Sequence, residues 1–472
     1  MTTPTSTFIV IANRLPVDRP DGAEWRTSPG GLVSALQPVL RQQHGTWIGW
    51  PGGPLDDYQA FEVNGLWVQP IEISTEEVEF YYEGMSNGTL WPLFHDLVAK
   101  PAFHREWWDA YVTVNRRFAE AAAVAAEPGA VVWVHDYQLA LVPALLRSLR
   151  PDVRIGFFLH IPFPPTELFR QLPWRDAILR GMLGADLVGF QRPGGAANFA
   201  RLVRYRLGHK THRDKILVDD REVAARAYPI SIDFTQFTEL AKSPEVEARA
   251  QEIRAELGDP RSILLGVDRL DYTKGIRQRL RAFGELIVDG RVSLDDAVFV
   301  QVASPSRERV DQYREVRDDI ERWVGRINGD LGRIGHPAVH YLHSSYPKEE
   351  MAALYRAADV MVVTPLADGM NLVAKEYVTC RYDNTGALLL SEFAGAADEL
   401  RQAFLVNPYD INGLKDSMWR AMHAPRQELS RRMRTMRRQV KENDISAWAH
   451  AFLSDLGGEQ LADAQPDGKL SS

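Results

Sequence analysis

Two cations, Arg269 and Lys274, lie close together in the short segment 268–275. The segment follows the apolar run 262–267, which predicts a buried strand, and it precedes a predicted helix. Two cations beside the free N–H groups of a helix N-terminus could neutralise a diphosphate leaving group without a metal ion. The alternative is a solvated loop in which such charges pair with each other, for example Asp271 with Lys274.

A second group of polar residues follows the apolar run 360–363, which predicts a parallel strand covered on both faces. Asp368 and Gly369 lie in a tight loop, and Asn371 is a suitable N-cap for a helix that begins at Leu372. Glu376 lies inside that helix. Backbone donors for a phosphate beside carboxylates for hydroxyls predict a sugar-phosphate or nucleotide-sugar site. The alternative is a βα unit whose acidic residues are only solvated.

Three polar residues follow strands predicted in the first half of the chain. Arg14 follows the run 8–12 after Asn13, Asp136 follows 131–134, and His160 follows 153–159. Because ligands bind beyond the carboxyl ends of the strands in doubly wound sheets, these residues are expected on one functional rim. Arg14 on this rim is a candidate phosphate ligand.

Aromatic and glycine residues near this rim could contact a sugar phosphate. Trp50, Tyr82 and Trp91 offer flat rings for the apolar face of a sugar, although most tryptophans belong to a core. Gly30 and Gly31 precede a predicted helix and would allow a phosphate to approach the backbone, a weak signal when taken alone.

Length and composition limit the class of protein. The chain has 472 residues, of which 45% are hydrophobic and 25% charged, as in globular proteins of two or three domains. The formal charge of −8 gives no electrostatic footprint for nucleic acid, and no apolar run is long enough for a membrane span. With one cysteine and no signal-peptide pattern, the chain is expected in the cytoplasm.

Alternating strands and helices predict two series of βαβ units. The predicted domains are 1–230, which would bind the acceptor, and 231–443, which would bind a nucleotide sugar. A helix over 444–457 is expected to return to the first domain, and the polar tail 458–472 is expected to be disordered.

The absence of three sequence motifs narrows the chemistry. The chain contains no Gly-x-Gly, no Gly-x-x-x-x-Gly-Lys and no Asp-x-Asp. The first two are fingerprints of dinucleotide and P-loop sites, and the third holds a metal in single-domain glycosyltransferases. A reaction without metal or other cofactor is therefore expected.

Several long motifs together resemble the trehalose-6-phosphate synthases, and only the first few residues and the tail fall outside the resemblance. The motifs include His135-Asp136-Tyr137, the run from Arg154 to Pro164, the run from Arg269 to Gly275, and the run from Thr364 to Tyr377. The resemblance implies an α/β fold of two Rossmann-like, doubly wound domains facing across a cleft, the GT-B architecture. It also implies a retaining glucosyltransferase that moves glucose from UDP- or GDP-glucose to glucose 6-phosphate.

The resemblance implies roles for individual residues. The acceptor, glucose 6-phosphate, would be bound by Arg14, Trp50, Tyr82, Trp91, Asp136 and Arg307. The nucleotide-glucose would be bound by Gly30, Gly31, Arg269, Lys274, Tyr346, Asp368, Gly369, Met370, Asn371, Leu372, Val373 and Glu376. The residues implied in catalysis are Arg269, Lys274, Asp136, His160 and Asp368.

Two departures from the family pattern leave the donor base open. Ala367 stands where the family often has arginine, and Ala303-Ser304-Pro305-Ser306-Arg307 differs from the family's Ala-Pro-Thr-Ser-Arg. UDP-glucose is the family default, and GDP-glucose stays an alternative. Two other functions are also open: a pseudo-glycosyltransferase that couples aminocyclitol-type units, and a non-catalytic relative that senses sugar phosphates. Homo-oligomer formation is left open.

Overall fold

The computed structural model describes residues 5–19, 25–27 and 31–457. The chain divides into two compact units. Unit 1 contains the described residues up to Ile230 and those from Ile445 onwards, and unit 2 is Ser231–Asp444. Gly30 and the tail 458–472, for which the sequence makes predictions, lie outside the described residues.

Unit 1 is built on a ten-stranded sheet, as far as its residues are described, with a separate two-stranded ribbon of β2 and β3. Its strands are β1 Ser6–Arg14, β2 Val17–Asp18, β3 Arg26–Thr27, β4 Thr46–Trp50, β5 Phe61–Val63, β6 Leu66–Pro70, β7 Ala126–His135, β8 Arg154–Leu159, β9 Leu187–Phe190, β10 Lys210–His212, β11 Lys215–Val218 and β12 Arg221–Ala227. The order across the sheet is β10-β11-β12-β9-β8-β7-β1-β4-β6-β5.

The helices of the first segment of unit 1 are α1 Gly31–Gln42, α2 Thr75–Glu77, α3 Trp91–Phe94, α4 Arg105–Ala125, α5 Val142–Leu149, α6 Thr166–Phe169, α7 Arg175–Met182 and α8 Pro193–Leu202. A π-helical segment, Val78–Leu90, joins α2 to α3. After β1, the chain places β4 and β6 on one side of β1. It later crosses to the other side and forms β7 there. The order of strands therefore reverses between β1 and β7, which is where a doubly wound sheet opens a crevice for a ligand.

Unit 2 contains a six-stranded sheet whose paired strands are all parallel among the residues described. Its strands are β13 Ser262–Arg269, β14 Ala297–Ser304, β15 Val339–Leu342, β16 Val360–Val363, β17 Ala387–Ser391 and β18 Phe404–Val406. The order is β15-β14-β13-β16-β17-β18. Counted from β13, this is the 3-2-1-4-5-6 order of dinucleotide-binding folds, with its reversal between β13 and β16.

The helices of unit 2 are α9 Phe234–Lys242, α10 Pro244–Glu256, α11 Ile276–Val288, α12 Asp311–Leu331, α13 Lys348–Ala357, α14 Leu372–Cys380, α15 Ile411–His423 and α16 Arg426–Glu442. They pack in two groups, one containing α11, α12 and α15 and the other α9, α10, α13 and α14. The sheet of unit 1 is parallel in its centre and has antiparallel pairs at both edges, β10-β11-β12 at one and β6-β5 at the other. The prediction of an α/β fold with two doubly wound sheets is confirmed.

β13 is longer than the sequence predicts. The expected strand ends at Val267, but the ladder with β14 continues through Asp268, which pairs with Ala303, and Arg269, which pairs with Ser304. A charged residue can extend a buried strand when its charge is compensated, and the guanidinium of the buried Arg279 contacts the Asp268 carboxylate. Arg269 is therefore the last residue of a strand rather than part of a loop.

The chain returns to unit 1 through α17, Ile445–Asp455. The Phe452 ring stacks on Trp133 of β7 with ring centroids 4.3 Å apart. A Cβ added at Gly156 or at Gly189 would lie 2.7 Å from Phe452, so glycine in β8 and β9 makes room for this ring. Within the described ranges, no helix is both long and apolar enough to span a bilayer.

Candidate active site

A lysine–aspartate pair lies at the reversal of strand order in unit 2. Lys274 Nζ donates a hydrogen bond to Asp368 Oδ2 at 2.7 Å, and the two side chains are 11% and 13% exposed. Lys274 ends a short 3₁₀ turn after β13, and Asp368 lies in the loop after β16. The predicted donor-side residues are thus brought together, and the ion pair of Lys274 is with Asp368 rather than with Asp271.

The loop that carries Lys274 is tied to the loop after β16. Gly275 has φ +59°, and a Cβ there would lie 2.1 Å from the carbonyl oxygen of Thr364. The Thr364 hydroxyl donates to the Gly275 carbonyl at 3.2 Å, and Leu366 N–H donates to the Thr273 carbonyl at 2.7 Å. The backbone contacts therefore fix the lysine relative to the aspartate.

Asp368 also organises the start of α14. Its Oδ1 accepts from Met370 N–H at 3.3 Å and its Oδ2 from the Asn371 amide at 3.2 Å. Asn371 has φ +84°, and its side chain caps the helix by accepting from Ala374 N–H at 3.1 Å. A helix N-terminus with its free N–H groups thus begins beside a lysine, which is an arrangement suited to a phosphate.

Gly369 approaches another glycine closely. A Cβ added at Gly395 would lie 1.9 Å from the carbonyl oxygen of Gly369. Gly395 N–H donates to the Asp368 carbonyl at 3.1 Å, and Ala396 N–H donates to the Met370 carbonyl at 2.8 Å. The segment after β17 therefore packs against the loop 368–370, and a side chain at position 395 would displace that loop.

A buried arginine that the sequence reasoning missed supports the ends of β13 and β16. Arg279 on α11 is fully buried; it contacts the Asp268 carboxylate and donates to Gln301 Oε1 at 2.9 Å and to the Val362 carbonyl at 3.0 Å. Burial raises the pKa of Asp268, although the guanidinium opposes this. The available signal was an arginine among the buried apolar positions of α11, such as Leu280.

Glu376 and Tyr346 are two further donor-side residues predicted in unit 2. Glu376 is half-buried on α14, and its Oε2 accepts from the Tyr355 hydroxyl at 2.8 Å. Burial raises the pKa of Glu376 above its ordinary value. Tyr346 follows β15 and is half-buried, whereas Arg269 at the end of β13 is exposed.

Arg307, the acceptor-side residue predicted in unit 2, is held by a tyrosine and a carboxylate. It has φ +51°, its side chain is 6% exposed, its guanidinium contacts the Tyr313 hydroxyl, and its Nη1 lies 3.6 Å from Asp271 Oδ2. Burial opposes the charge on Asp271, but Arg307, Arg269 and Lys274 hold the pKa of that carboxyl below its usual range.

Arg14, Trp50 and Tyr82 pack against one another in unit 1. The Arg14 guanidinium carbon lies 5.0 Å from the centroid of the Trp50 ring, and the Tyr82 ring lies 5.8 Å from that ring. Gly52 has φ +95°, and a Cβ there would lie 2.0 Å from Arg14 Nη1. An exposed arginine over an aromatic ring keeps its charge available to an anion.

Asp136 and His160 lie at the ends of the neighbouring strands β7 and β8. Asp136 has φ +75°, and its Oδ1 accepts from the backbone N–H of His160 at 3.0 Å. An aspartate in this backbone region is strained, and such strain is typical of functional positions. The three predicted rim residues Arg14, Asp136 and His160 therefore lie at the carboxyl ends of three adjacent parallel strands, β1, β7 and β8.

His135, which the sequence reasoning did not single out, is hydrogen-bonded to His160. His135 Nδ1 and His160 Nε2 are 3.1 Å apart, and His135 is buried whereas His160 is half-buried. Burial lowers the pKa of both imidazoles, that of His160 to about 3. Both rings are therefore neutral near neutral pH.

Trp91 is the most enclosed of the predicted acceptor residues. Its side chain is 5% exposed, and its ring lies 4.1 Å from that of His95 and 5.7 Å from that of Tyr137. Most of its surface therefore contributes to the core of unit 1. Across the described ranges, no group of three His, Cys, Asp or Glu side chains is arranged to hold a metal ion.

Comparison with known proteins identifies the family. The sequence profile described as Glycosyltransferase family 20 matches residues 6–457. A trehalose-6-phosphate synthase of Mycolicibacterium gilvum is 56% identical, with 96% of this chain and 94% of the relative covered. The corresponding protein of Mycobacterium avium is 58% identical, with 96% and 95% covered.

Solved structures give the same result. The alpha,alpha-trehalose-phosphate synthase (UDP-forming) of Burkholderia vietnamiensis has a TM-score of 0.89 and 34% identity, with 98% of each chain covered. The Burkholderia xenovorans enzyme in complex with glucose-6-phosphate has a TM-score of 0.87 and 34% identity, with 96% of this chain and 100% of that chain covered. A structure from E. coli bound with UDP-2-fluoro glucose has a TM-score of 0.88 and 33% identity, with 95% and 98% covered. With a family profile that spans almost the whole chain and relatives above 50% identity, the chain belongs to glycosyltransferase family 20.

Proposed function

We propose that this glycosyltransferase is a trehalose-6-phosphate synthase. It transfers glucose from a nucleotide-glucose to glucose 6-phosphate with retention and gives α,α-trehalose 6-phosphate and a nucleoside diphosphate. The names of the relatives support the reaction, and the glucose-6-phosphate bound to the B. xenovorans enzyme supports the acceptor.

The lysine–aspartate pair at the strand reversal of unit 2 is the observation that carries the proposal. A nucleotide diphosphate placed there would meet Lys274, Arg269 and the N-terminus of α14. Asp368 already orients the lysine at 2.7 Å, so little reorganisation is needed when the charge develops. The remaining proposed donor contacts are the backbone of Gly369 to Val373, Glu376 on the ribose, Tyr346, and Gly30 with Gly31.

The proposed acceptor contacts begin with the exposed guanidinium of Arg14, the proposed phosphate ligand in unit 1. Arg307 is the acceptor contact proposed in unit 2. A phosphate would compete with Asp271 and Tyr313 for Arg307. Three aromatic residues and one carboxylate would then contact the sugar, namely Trp50, Tyr82, Trp91 and Asp136.

The proposed chemistry is a substitution on one face of the donor sugar. The bond from the anomeric carbon to the diphosphate oxygen breaks, and the acceptor hydroxyl oxygen bonds to that carbon on the same face. The hydroxyl proton passes to the departing phosphate oxygen. Arg269 and Lys274 stabilise the negative charge on the diphosphate, and His160 donates a hydrogen bond to the transferred glucose.

The base of the donor is a separate part of the proposal. The B. vietnamiensis relative is UDP-forming and the E. coli structure holds a UDP sugar, which favours UDP-glucose. Ala367 and the segment 303–307 depart from the family pattern, so GDP-glucose is the second candidate. A cytoplasmic location is a further part of the proposal.

The test is to incubate the purified protein with glucose 6-phosphate and either UDP-glucose or GDP-glucose. Release of nucleoside diphosphate that requires the acceptor, together with a non-reducing disaccharide phosphate whose two anomeric protons are both α by NMR, is the expected result. Coupling of aminocyclitol-type substrates in place of glucose 6-phosphate would identify the pseudo-glycosyltransferase. Binding of glucose 6-phosphate without turnover of either donor would identify a sensing protein.

A further inference from the structure

The hydrogen bond between His135 and His160 has a direction, and that direction decides what His160 offers to a ligand. We propose that His135 is a positioning residue that donates through Nδ1–H to His160 Nε2 and so keeps the proton of His160 on Nδ1. His160 then presents an N–H donor to an oxygen of the transferred sugar. This inference rests on the proposed function for the identity of the ligand, but not for the hydrogen bond itself.

Only one proton can lie between the two nitrogens, which are 3.1 Å apart. Since burial lowers the pKa of both rings, each ring is neutral and carries a single N–H. Two arrangements are therefore available. Either His135 donates from Nδ1 and His160 keeps its proton on Nδ1, or His160 donates from Nε2 and His135 keeps its proton on Nε2.

The surroundings of His135 Nε2 distinguish the two arrangements. This atom is buried and has no hydrogen-bond partner in the part of the chain that the structure describes. In the second arrangement it would be a buried N–H without an acceptor, which is rare in proteins because the lost hydration is not replaced. In the first arrangement it is an unprotonated ring nitrogen.

Trp133 favours the first arrangement further. Its ring lies 4.8 Å from that of His135, and its Nε1–H is also buried without a partner among the described residues. A proton on His135 Nε2 would place a second unpaired donor in the same apolar surroundings. A lone pair there avoids the cost of that second unpaired N–H.

The C-terminal helix encloses the pair. Trp448 of α17 stacks on Trp133 at 5.1 Å, and its ring lies 6.3 Å from that of His160. The Trp448 N–H is itself occupied by the Tyr228 carbonyl at 3.2 Å. The walls around His135 are thus aromatic, and its one hydrogen bond in the described structure is to His160.

The direction of this hydrogen bond determines whether His160 offers a donor or an acceptor to a ligand. It is half-buried at the end of β8, and its Nδ1 has no partner within the described residues. The first arrangement makes this nitrogen a donor, which suits a sugar hydroxyl oxygen or the ring oxygen of a hexose. The second would make it an acceptor, and a free imidazole could change between the two at little cost.

Nitrogen-15 NMR of the histidine-labelled full-length protein at neutral pH tests the assignment directly. Long-range ring correlations distinguish a protonated from an unprotonated nitrogen, and assignment uses the His135→Asn and His160→Asn variants. We expect Nδ1–H with unprotonated Nε2 for both histidines. A proton on His160 Nε2 overturns the proposal, whether or not the protein proves to be a glucosyltransferase.

Steady-state kinetics test whether the His135–His160 hydrogen bond matters for glucose transfer. His135→Phe removes the donor, whereas His135→Asn keeps an N–H near the position of Nδ1. With glucose 6-phosphate saturating, we expect His135→Phe to lower kcat/KM for the nucleotide-glucose about tenfold, the scale of one uncharged hydrogen bond, and His135→Asn to restore most of it. The affinity for free UDP should not change.

Trp133→Phe is the matched control, because it alters the same buried layer without a hydrogen bond to His160. Equal losses in Trp133→Phe and His135→Phe would show a packing effect and overturn the proposal. Normal transfer by His135→Phe, or no rescue by His135→Asn, would do the same. Failure of the wild-type protein to transfer glucose would instead refute the proposed function, and the NMR result would still decide the direction of the hydrogen bond.

Discussion

Lys274 is the residue whose replacement tests the proposed leaving-group chemistry most directly. Lys274→Met keeps the length of the side chain and removes its charge. Because charge on the diphosphate is greatest in the transition state, kcat should fall by about 10² to 10³, the scale of removing one preorganised electrostatic contact. The KM for glucose 6-phosphate should change little, since the lysine is not a proposed acceptor contact.

The same substitution has a calculable effect on stability. It leaves the Asp368 carboxylate, 13% exposed, without its cation but still accepting from Met370 N–H and the Asn371 amide. Loss of a fully buried ion-pair partner costs about 3 to 5 kcal/mol. With two donors left and some exposure, we expect about 1.5 to 3 kcal/mol, the range of one hydrogen bond to a charged group.

A double substitution separates the two effects. Lys274→Met with Asp368→Asn removes the uncompensated charge, so the melting temperature measured by calorimetry should recover most of its loss. Turnover should stay low in the double variant, because the cation that neutralises the diphosphate is still missing. A drop in kcat that disappears together with the stability defect would contradict the leaving-group role.

Lys415→Met is the matched control. Lys415 is also only 10% exposed and is paired with Glu285 at 3.1 Å and Asp289 at 2.8 Å. These partners lie towards the C-terminal end of α11, about 14 Å (Glu285) and about 20 Å (Asp289) along the helix from its start beside Lys274. The control should lose stability and keep its kcat. If Lys274→Met keeps its full kcat as well, the proposed role of Lys274 is refuted.

Three further predictions concern Gly52, Gly395 and Glu376. Gly52→Ala should displace the Arg14 guanidinium and raise the KM for glucose 6-phosphate at least several-fold, with UDP affinity by calorimetry unchanged; an unchanged KM would count against Arg14 as the phosphate ligand. Gly395→Ala should push the Gly369 carbonyl away and weaken UDP binding, and normal UDP affinity would show that the loop tolerates the shift. Because burial raises the pKa of Glu376, its contribution to stability is greatest below the ordinary glutamate pKa and is lost as pH rises through the raised value. Glu376→Gln removes this loss, so its melting temperature should gain on the wild type as pH rises above the ordinary glutamate pKa of about 4.3, while UDP binding weakens. If the melting temperatures of the two proteins change with pH by the same amount, this predicted pH dependence is wrong.

The strand ends could be predicted because they depend on local patterns. Apolar runs followed by polar residues predicted β1, β7, β8, β13 and β16, and the parallel topology then determined which residues share a rim. Asn371 was predicted as an N-cap from residue type alone, and its side chain does cap α14 at 3.1 Å. Such features need only the period of a strand and the chemistry of a helix start.

Contacts between distant segments could not be predicted from local patterns. Arg279 donates to the Val362 carbonyl, 83 positions away along the chain, and no pattern near either residue specifies the other. The partnership of His135 and His160 depends on adjacent strands in register, with His135 paired to Phe158. The roles assigned to Glu376, Tyr346 and Trp91 came from resemblance and stay predictions.

The two glycines beneath Phe452 have a consequence for biosynthesis. Gly156 and Gly189 leave a gap in unit 1 that a ring from the far end of the chain fills, after about 200 intervening residues of unit 2. Ribosomes add about 5 to 20 residues per second, so the gap stays open for roughly 10 to 40 s of synthesis. During that interval the nascent first segment exposes an aromatic-lined slot that a chaperone can recognise, and unit 2 can fold before unit 1 is complete.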